Sequence, residues 1–426
     1  MVEIWLPYGD TETFVSVEDE HLLGILQPHE KSPAENPQQE VDSALENPLG
    51  SEPLTRLIVP GKSLVLLMEL TNPVAESFIL VSHLLGKFSE KGIPNEHVKI
   101  LLTTETTESI RAFKEKSDLW REILANYSVI EHDPLSSECI EVGKTNKGAK
   151  VLLNRNFVEA DLRIVFSDIS LHRYLGYRGG CSAILPGIAG ADTIRHNHAM
   201  LVNPNTRPGV LTGNPLYEGV EEASRLAKVD FGLCIMTNPK ANLVTVRAGD
   251  LSEAFHTIAR EYGEICRVTF SQKADIVIAS AGGSPYDVDL YHACAGLDSS
   301  LRVVKDGGVV ILVAECPNGY GSKVFYEWMK NFRDVKEIES MIRKKYVRGG
   351  ENAYYLLKGR EKARIHLVSL MPDYYAGIFK LRTARTVNSA LQSAQRTLGK
   401  DSKIIVLPYA PMTLPIPEES PPSDRT

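Results

Sequence analysis

Leu64-Val65-Leu66-Leu67-Met68 is an unbroken apolar run of the length expected for a strand covered on both faces. Residues 75 to 91 follow it with apolar side chains at helical spacing, and Val98-Lys99-Ile100-Leu101-Leu102 repeats the strand pattern. A second helical stretch, about 108 to 126, leads to Tyr127-Ser128-Val129-Ile130. Strands that alternate with helices in this way are joined by right-handed crossovers and form a mostly parallel sheet. Working outward, Leu162-Arg163-Ile164-Val165-Phe166 is another such strand. A second series begins at Asp275-Ile276-Val277-Ile278-Ala279, continues through Gly308 to Val313, and includes 364 to 370 and 403 to 408. Between the first two of these, a helix is expected from Tyr291 to Gly296. Residues 2 to 16 alternate around Tyr8-Gly9-Asp10 as a hairpin, Pro28 to Pro37 is a loop, and Pro417 to Thr426 is a loose tail. The pattern predicts two Rossmann-like α/β domains, residues 1–270 and 271–426, with mostly parallel sheets and a cleft between them.

A chain of 426 residues exceeds what one hydrophobic core usually organises, which agrees with two domains. Apolar residues at 43% and charged residues at 24% fit a folded globular protein and argue against disorder. The formal charge of -7, with no basic block beyond Arg343-Lys344-Lys345, excludes broad nucleic-acid binding and leaves a small molecule as the expected partner. Cys139, Cys181, Cys234, Cys266, Cys294 and Cys316 are widely spaced with no CxxC pair, as in reduced cytosolic proteins. No basic segment followed by an apolar one opens the chain, and no apolar run is long enough to span a bilayer. A cytoplasmic protein that makes no membrane contact is expected.

The strand ending at Phe166 is followed by His172-Arg173-Tyr174-Leu175-Gly176-Tyr177-Arg178-Gly179-Gly180-Cys181-Ser182 and then Leu185-Pro186-Gly187. Glycine-rich turns after strands of such sheets are where ligands bind. The stretch has neither the Lys-Ser/Thr ending of a P-loop nor GxGxxG spacing, so it reads either as a tight turn or as an amide cradle for phosphate. His196-Asn197-His198 places two imidazoles at i and i+2, which share a face on a strand and not on a helix. His172, beside the glycine-rich turn, is the natural proton carrier. GxSxG, HExxH and kinase motifs are absent. The residues alone lead as far as an α/β enzyme with a ligand site near 172 to 198.

Several stretches together resemble the nickel-pincer lactate racemase family. They are Leu22-Leu23-Gly24-Ile25-Leu26, Ala44-Leu45-Glu46-Asn47-Pro48-Leu49-Gly50-Ser51, Val158-Glu159-Ala160-Asp161-Leu162, Leu185-Pro186-Gly187-Ile188-Ala189-Gly190, His196-Asn197-His198, Gly213-Asn214-Pro215 and Gly282-Gly283-Ser284-Pro285-Tyr286-Asp287. The resemblance runs nearly end to end. It implies a racemase or epimerase that uses a nickel-pincer nucleotide, with His198 at the position of the nickel ligand. The first domain would carry the cofactor site and the second would close the cleft. A histidine takes the substrate hydroxyl proton while C2 gives its hydride to the cofactor, and the planar 2-oxoacid takes it back on either face. His172 matches one of the two family histidines that serve the two enantiomers. Glu69, Thr71, Asn72, Gly179, Gly180, Ser182 and Tyr291 fall at cofactor-binding positions, and the resemblance also implies transient contact with the proteins that make the nucleotide.

This sequence departs from the family pattern at the centre of the site. The family's Asp-His-Thr-Arg-Pro reads Glu69-Leu70-Thr71-Asn72-Pro73, and Asn72 cannot make the bidentate charged contact of an arginine. Thr106 stands where the second catalytic histidine is expected. Ser182 stands where a lysine ties the cofactor through a thioamide, so any nucleotide here is expected to be held non-covalently. In Tyr291-His292-Ala293-Cys294-Ala295 the family carries Gln at the 292 position and Lys at the 295 position. His292 is the expected second base. Asn72, Thr106, His292 and Ala295 are the expected substrate-facing positions. The substrate these changes suggest is a 2-hydroxyacid other than lactate, such as a larger polyhydroxy acid. The alternatives are a one-base oxidoreductase or lyase on the same fold and a non-catalytic binder of the nucleotide or of a hydroxyacid.

Overall fold

The structure is a computed structural model that describes residues 1–70, 75–106 and 118–418. The chain divides into two compact units, residues 30–264 in one and residues 1–29 with 265–426 in the other.

The unit of residues 30–264 is built on a six-stranded sheet. In spatial order the strands are Leu243–Gly249, Phe231–Thr237, Leu162–Asp168, Leu64–Glu69, Val98–Leu102 and Ser128–Glu131. All neighbours run parallel except the edge strand Leu243–Gly249, which is antiparallel to its partner. Leu64 to Met68 are all buried, which is why the run is continuous rather than alternating. Leu64, Leu66 and Met68 share a core with Phe78, Leu84 and Phe88 of the helix Ala75–Glu90 and with Trp120 and Ile123 of the helix Asp118–Asn126. The earlier part of the helical pattern expected from about 108 lies at 107–117, outside the described residues.

The chain fills this sheet from Leu64–Glu69 outward through Val98–Leu102 to Ser128–Glu131, then returns to the other side of Leu64–Glu69 with Leu162–Asp168. Connections leaving two adjacent strands in opposite directions open a crevice at their C-terminal ends. Glu69 ends one of these two strands and Asp168 ends the other.

The other unit holds a second six-stranded sheet, fully parallel, in the order Arg382–Ala384, Arg364–Val368, Val304–Val313, Ala274–Ser280, Ile404–Leu407 and Leu22–Ile25. The N-terminal hairpin, Val2–Tyr8 paired with Thr11–Val17, lays Ile4, Leu6, Val15 and Val17 into one core with Ile276, Ile278, Val309, Ile311 and Val313. Residues 1–29 therefore belong with 265–426 and not with the first domain, where the division 1–270 and 271–426 had put them. The reason is the pairing of Leu22–Ile25 with Ile404–Leu407, a long-range contact that no local pattern announces. Here the sheet order reverses between Ala274–Ser280 and Ile404–Leu407, and the loop from Ala281 to Asp289 leaves that point. The helix expected from 291 to 296 is two pieces, Leu290–Ala293 and Gly296–Val303. The tail begins as a strand, Leu414–Pro417, paired with Arg267–Phe270, and residues 419–426 lie outside the described residues. Among the described residues no helix is long and apolar enough to cross a membrane.

Candidate active site

The stretch read as a glycine-rich turn contains a short hairpin, Ser170–His172 against Gly176–Arg178, with Ser170 opposite Arg178 and His172 opposite Gly176. Directly opposed residues of an antiparallel pair share a face, so His172 and Arg178 project from the same side. Gly176 takes φ +86° and lies against the Val210 backbone, where a Cβ would collide with the carbonyl.

Arg178 connects the hairpin to the first strand. Its Nε donates to Glu69 Oε1 at 3.2 Å and its Nη1 contacts Glu105 Oε2. The second Glu69 oxygen accepts from Ser182 Oγ at 2.6 Å. Glu69 is 1% exposed, and burial pushes its carboxyl above the usual range against the lowering effect of Arg178 and Ser182. One guanidinium thus sits between two carboxylates, and the serine hydroxyl completes the more buried one. Serine at 182 is short, and glutamate at 69 has one methylene more than the aspartate of the family motif. Their side chains meet through that bond.

The amides of the glycine-rich turn are spent inside the protein. Gly179 N–H donates to Ser182 Oγ at 2.9 Å and Gly180 N–H donates to Ser167 Oγ at 2.8 Å. Gly180 takes φ +54°, and a Cβ there would stand 2.6 Å from Phe255 Cβ. Of the two readings the stretch allowed, the geometry is that of the tight turn, and these two amides are not aimed at a phosphate. Thr106 is likewise withdrawn from any ligand. It is fully buried, its Oγ1 accepts from Leu70 N–H at 2.8 Å and donates to Met68 O at 3.2 Å, and Thr103 Oγ1 lies at 2.8 Å. These contacts use the hydroxyl's full capacity, so the expectation of a substrate contact at Thr106 is corrected to a cap on the strand Leu64–Glu69. Thr71 and Asn72 lie outside the described residues.

His196 and His198 sit on the helix Ala191–His198, where i and i+2 diverge. His196 is exposed, and His198 is 1% exposed. The Tyr174 ring stands edge-on between the other two histidines, 5.4 Å from His198 and 4.4 Å from His172. Burial pushes the His198 imidazole down to about 4, partly offset by a hydrogen bond to the Ile194 carbonyl. His172 Nδ1 accepts the Leu175 amide N–H at 3.2 Å. The neutral ring must then carry its proton on Nε2. Burial first, then the neighbouring Arg173 and His198, push its pKa down to about 3.

His292 belongs to the other unit, in the short helix Leu290–Ala293 that follows the loop leaving the sheet's reversal point. Its side chain is half exposed, and its Nδ1 lies 2.7 Å from Asp289 Oδ1, which also accepts the His292 backbone N–H at 2.9 Å. Ala295 is exposed, three residues on. Tyr291 stacks edge-on against His292 at 5.3 Å, but its hydroxyl donates to Glu351 Oε1 at 2.8 Å and burial pushes its pKa up.

The sequence reading put Glu69, Ser182, His172 and His198 in the first domain, and the structure places all four in the unit of residues 30–264. It missed Arg178, Tyr174 and Asp289. No local signal announced the three-residue strands that put Arg178 on the face of His172, whereas Asp three residues before His292 is a helix N-cap signal.

Matches to known proteins agree along the chain. A family model described as the lactate racemase N-terminal domain matches residues 8–209, and one described as the lactate racemase C-terminal domain matches residues 269–410. A lactate racemase of Thermoanaerobacterium thermosaccharolyticum is 31% identical, covering 96% of this chain and 98% of that protein. One of Lactiplantibacillus plantarum is 27% identical over the same shares. The structure of the Thermoanaerobacterium thermosaccharolyticum lactate racemase apoprotein superposes with a TM-score of 0.86 at 29% identity, covering 97% of this chain and 100% of that one. A Thermotoga maritima protein at 13% identity shares the fold, with a TM-score of 0.65 over 92% of this chain and 100% of its own.

Proposed function

Because the chain belongs to the lactate racemase family, we propose that it is an isomerase, a nickel-pincer nucleotide-dependent racemase or epimerase of a 2-hydroxyacid other than lactate. The observation that carries the reading is the file of rings from the partly buried His172 through the buried Tyr174 to the buried His198, in the same unit as a Ser182 hydroxyl committed to Glu69. His198 suits a metal ligand: it is buried, and burial holds its imidazole in the neutral form that offers a lone pair to a metal. The covalent anchor does not fit, since Ser182 has no amine. A nucleotide here would therefore be held without a covalent link at residue 182, with His198 as the residue that would hold its metal.

When bound, the nucleotide supplies the centre that accepts the C2 hydride and gives it back. The chain handles the proton and the orientation. His292, with Nδ1 on Asp289, has Nε2 free to take the substrate hydroxyl proton and to return it. His172 was expected to carry that proton. With the Leu175 amide on Nδ1 it is instead a donor, offering Nε2–H to a substrate oxygen and stabilising charge there. One base serves both faces if the oxygen stays at His292 while the planar 2-oxoacid turns about its C2–O axis, exchanging its carboxylate with its C3 group. An acid with a polar C3 substituent presents similar groups on both sides, and lactate does not.

The test is coexpression with a nickel-pincer biosynthetic pathway, followed by native and denaturing mass spectrometry and chiral analysis of C2 inversion over a panel of 2-hydroxyacids. Nickel bound in the native state, a bare polypeptide mass after denaturation, and inversion fastest with C3-hydroxylated acids, with C2 deuterium retained in the product, are expected. His198→Ala should stay folded and lose nickel. Full nickel in that variant, or a covalent adduct at residue 182, overturns the corresponding assignment. Accumulation of a 2-oxoacid or a dehydrated product in place of the other epimer would assign the one-base oxidoreductase or lyase.

A further inference from the structure

We infer that Asp289 is a positioning residue that fixes the tautomer of His292, so that the two form a carboxylate–imidazole dyad at the reversal point of the sheet in the unit that contains residues 265–426. The inference rests on the proposed role of His292 for its catalytic half and on geometry alone for its structural half.

One oxygen of Asp289 takes two hydrogen bonds from the same residue, the backbone N–H of His292 at 2.9 Å and Nδ1 at 2.7 Å. The first is an N-cap bond that any short polar side chain provides. The second needs the reach of an aspartate. With a carboxylate on Nδ1 the neutral ring keeps its proton there and leaves Nε2 as the lone pair, the arrangement by which an acid–imidazole pair presents a base. His172 is held in the opposite sense by an amide donor.

Asp289 is itself held in place. It is 7% exposed, and the loop from Glu315 to Gly321 closes over it: Leu290 N–H donates to Gly319 O at 2.9 Å and Asn318 N–H to Val288 O at 2.9 Å. Gly321, at φ +76°, passes so close that a Cβ would press into the Asp289 carboxylate. Ala295 leaves the exposed face one turn beyond His292 without a long side chain. None of this depends on a bound nucleotide.

Asp289→Ser separates the two bonds, because serine caps a helix as well as aspartate but cannot reach Nδ1. With histidine-selective 15N labelling of the full chain, the parent should show His292 as the Nδ1–H tautomer. Asp289→Ser should fold with parental stability and shift His292 toward Nε2–H, while Asp289→Asn keeps an acceptor in place and should retain the parental tautomer. Gly321→Ala, which displaces the carboxylate from outside the helix, should act like Asp289→Ser. An unchanged His292 tautomer in Asp289→Ser overturns the dyad. In the cofactor-loaded enzyme the same variant should invert C2 at least about tenfold more slowly, by weakening a general base. A shifted tautomer with parental inversion leaves the dyad standing and overturns His292 as the base. Loss of inversion in His292→Gln with no tautomer change in Asp289→Ser keeps the base and overturns the positioning role.

Discussion

His172 shows how one backbone amide decides what a side chain can do. Its ring titrates near 6.5 in an unfolded chain and near 3 in the folded one, so between those values the unfolded chain binds the extra proton. Its contribution is present above pH 6.5 and is lost as pH falls through that window, by at most about 1.4 kcal/mol per pH unit. Urea denaturation at pH 7.5, 6 and 5 should show stability of the apoprotein falling toward acid, with a shallower slope in His172→Gln. An equal slope would mean that the ring is solvated and free to protonate. The Ser182 hydroxyl makes a separate prediction: Ser182→Ala removes a donor from a buried carboxylate and should cost about 1–3 kcal/mol. The sequence singled out His172, His198, Glu69 and Ser182 as candidates, but which atom of each is engaged it did not show. A tautomer depends on a donor three residues away whose direction is set by the hairpin.

The strands carried their own signature, because burial on both faces leaves no polar position in Leu64 to Met68 or Ile276 to Ala279. The hairpin that carries His172 did not, since three-residue strands offer too little alternation to read. Thr106 was misread for a related reason. Its position matched a catalytic histidine, while its actual partners are the ends of a strand some forty residues earlier in the chain. Thr106→Val keeps the branched shape and strips those bonds, leaving the Leu70 N–H unpaired while the Met68 carbonyl keeps its bond from the Thr103 N–H. Thermal or urea unfolding should record a loss of about 1–3 kcal/mol with substrate preference unchanged. A changed preference at parental stability would return the residue to the pocket.

At the scale of the whole chain, the alternation of strands and helices announced two α/β units, and the order of pairing was hidden. Residues 30–264 are continuous and enclose their own core, so a fragment with those bounds should fold, with cooperative melting and native-like circular dichroism. A 271–426 fragment lacks Ile4, Leu6, Val15 and Val17 from its core and the edge strand Leu22–Ile25, and should precipitate or melt without cooperativity until residues 1–29 are supplied. Cooperative folding of that fragment alone would show the hairpin to be dispensable. The pairing of Leu22 with Ile404 also sets an order of events during synthesis. The hairpin is translated before residues 30–264 and its docking partners after them, so the central unit can complete its core while both flanks wait, and an interrupted translation yields one finished half and an orphaned hairpin.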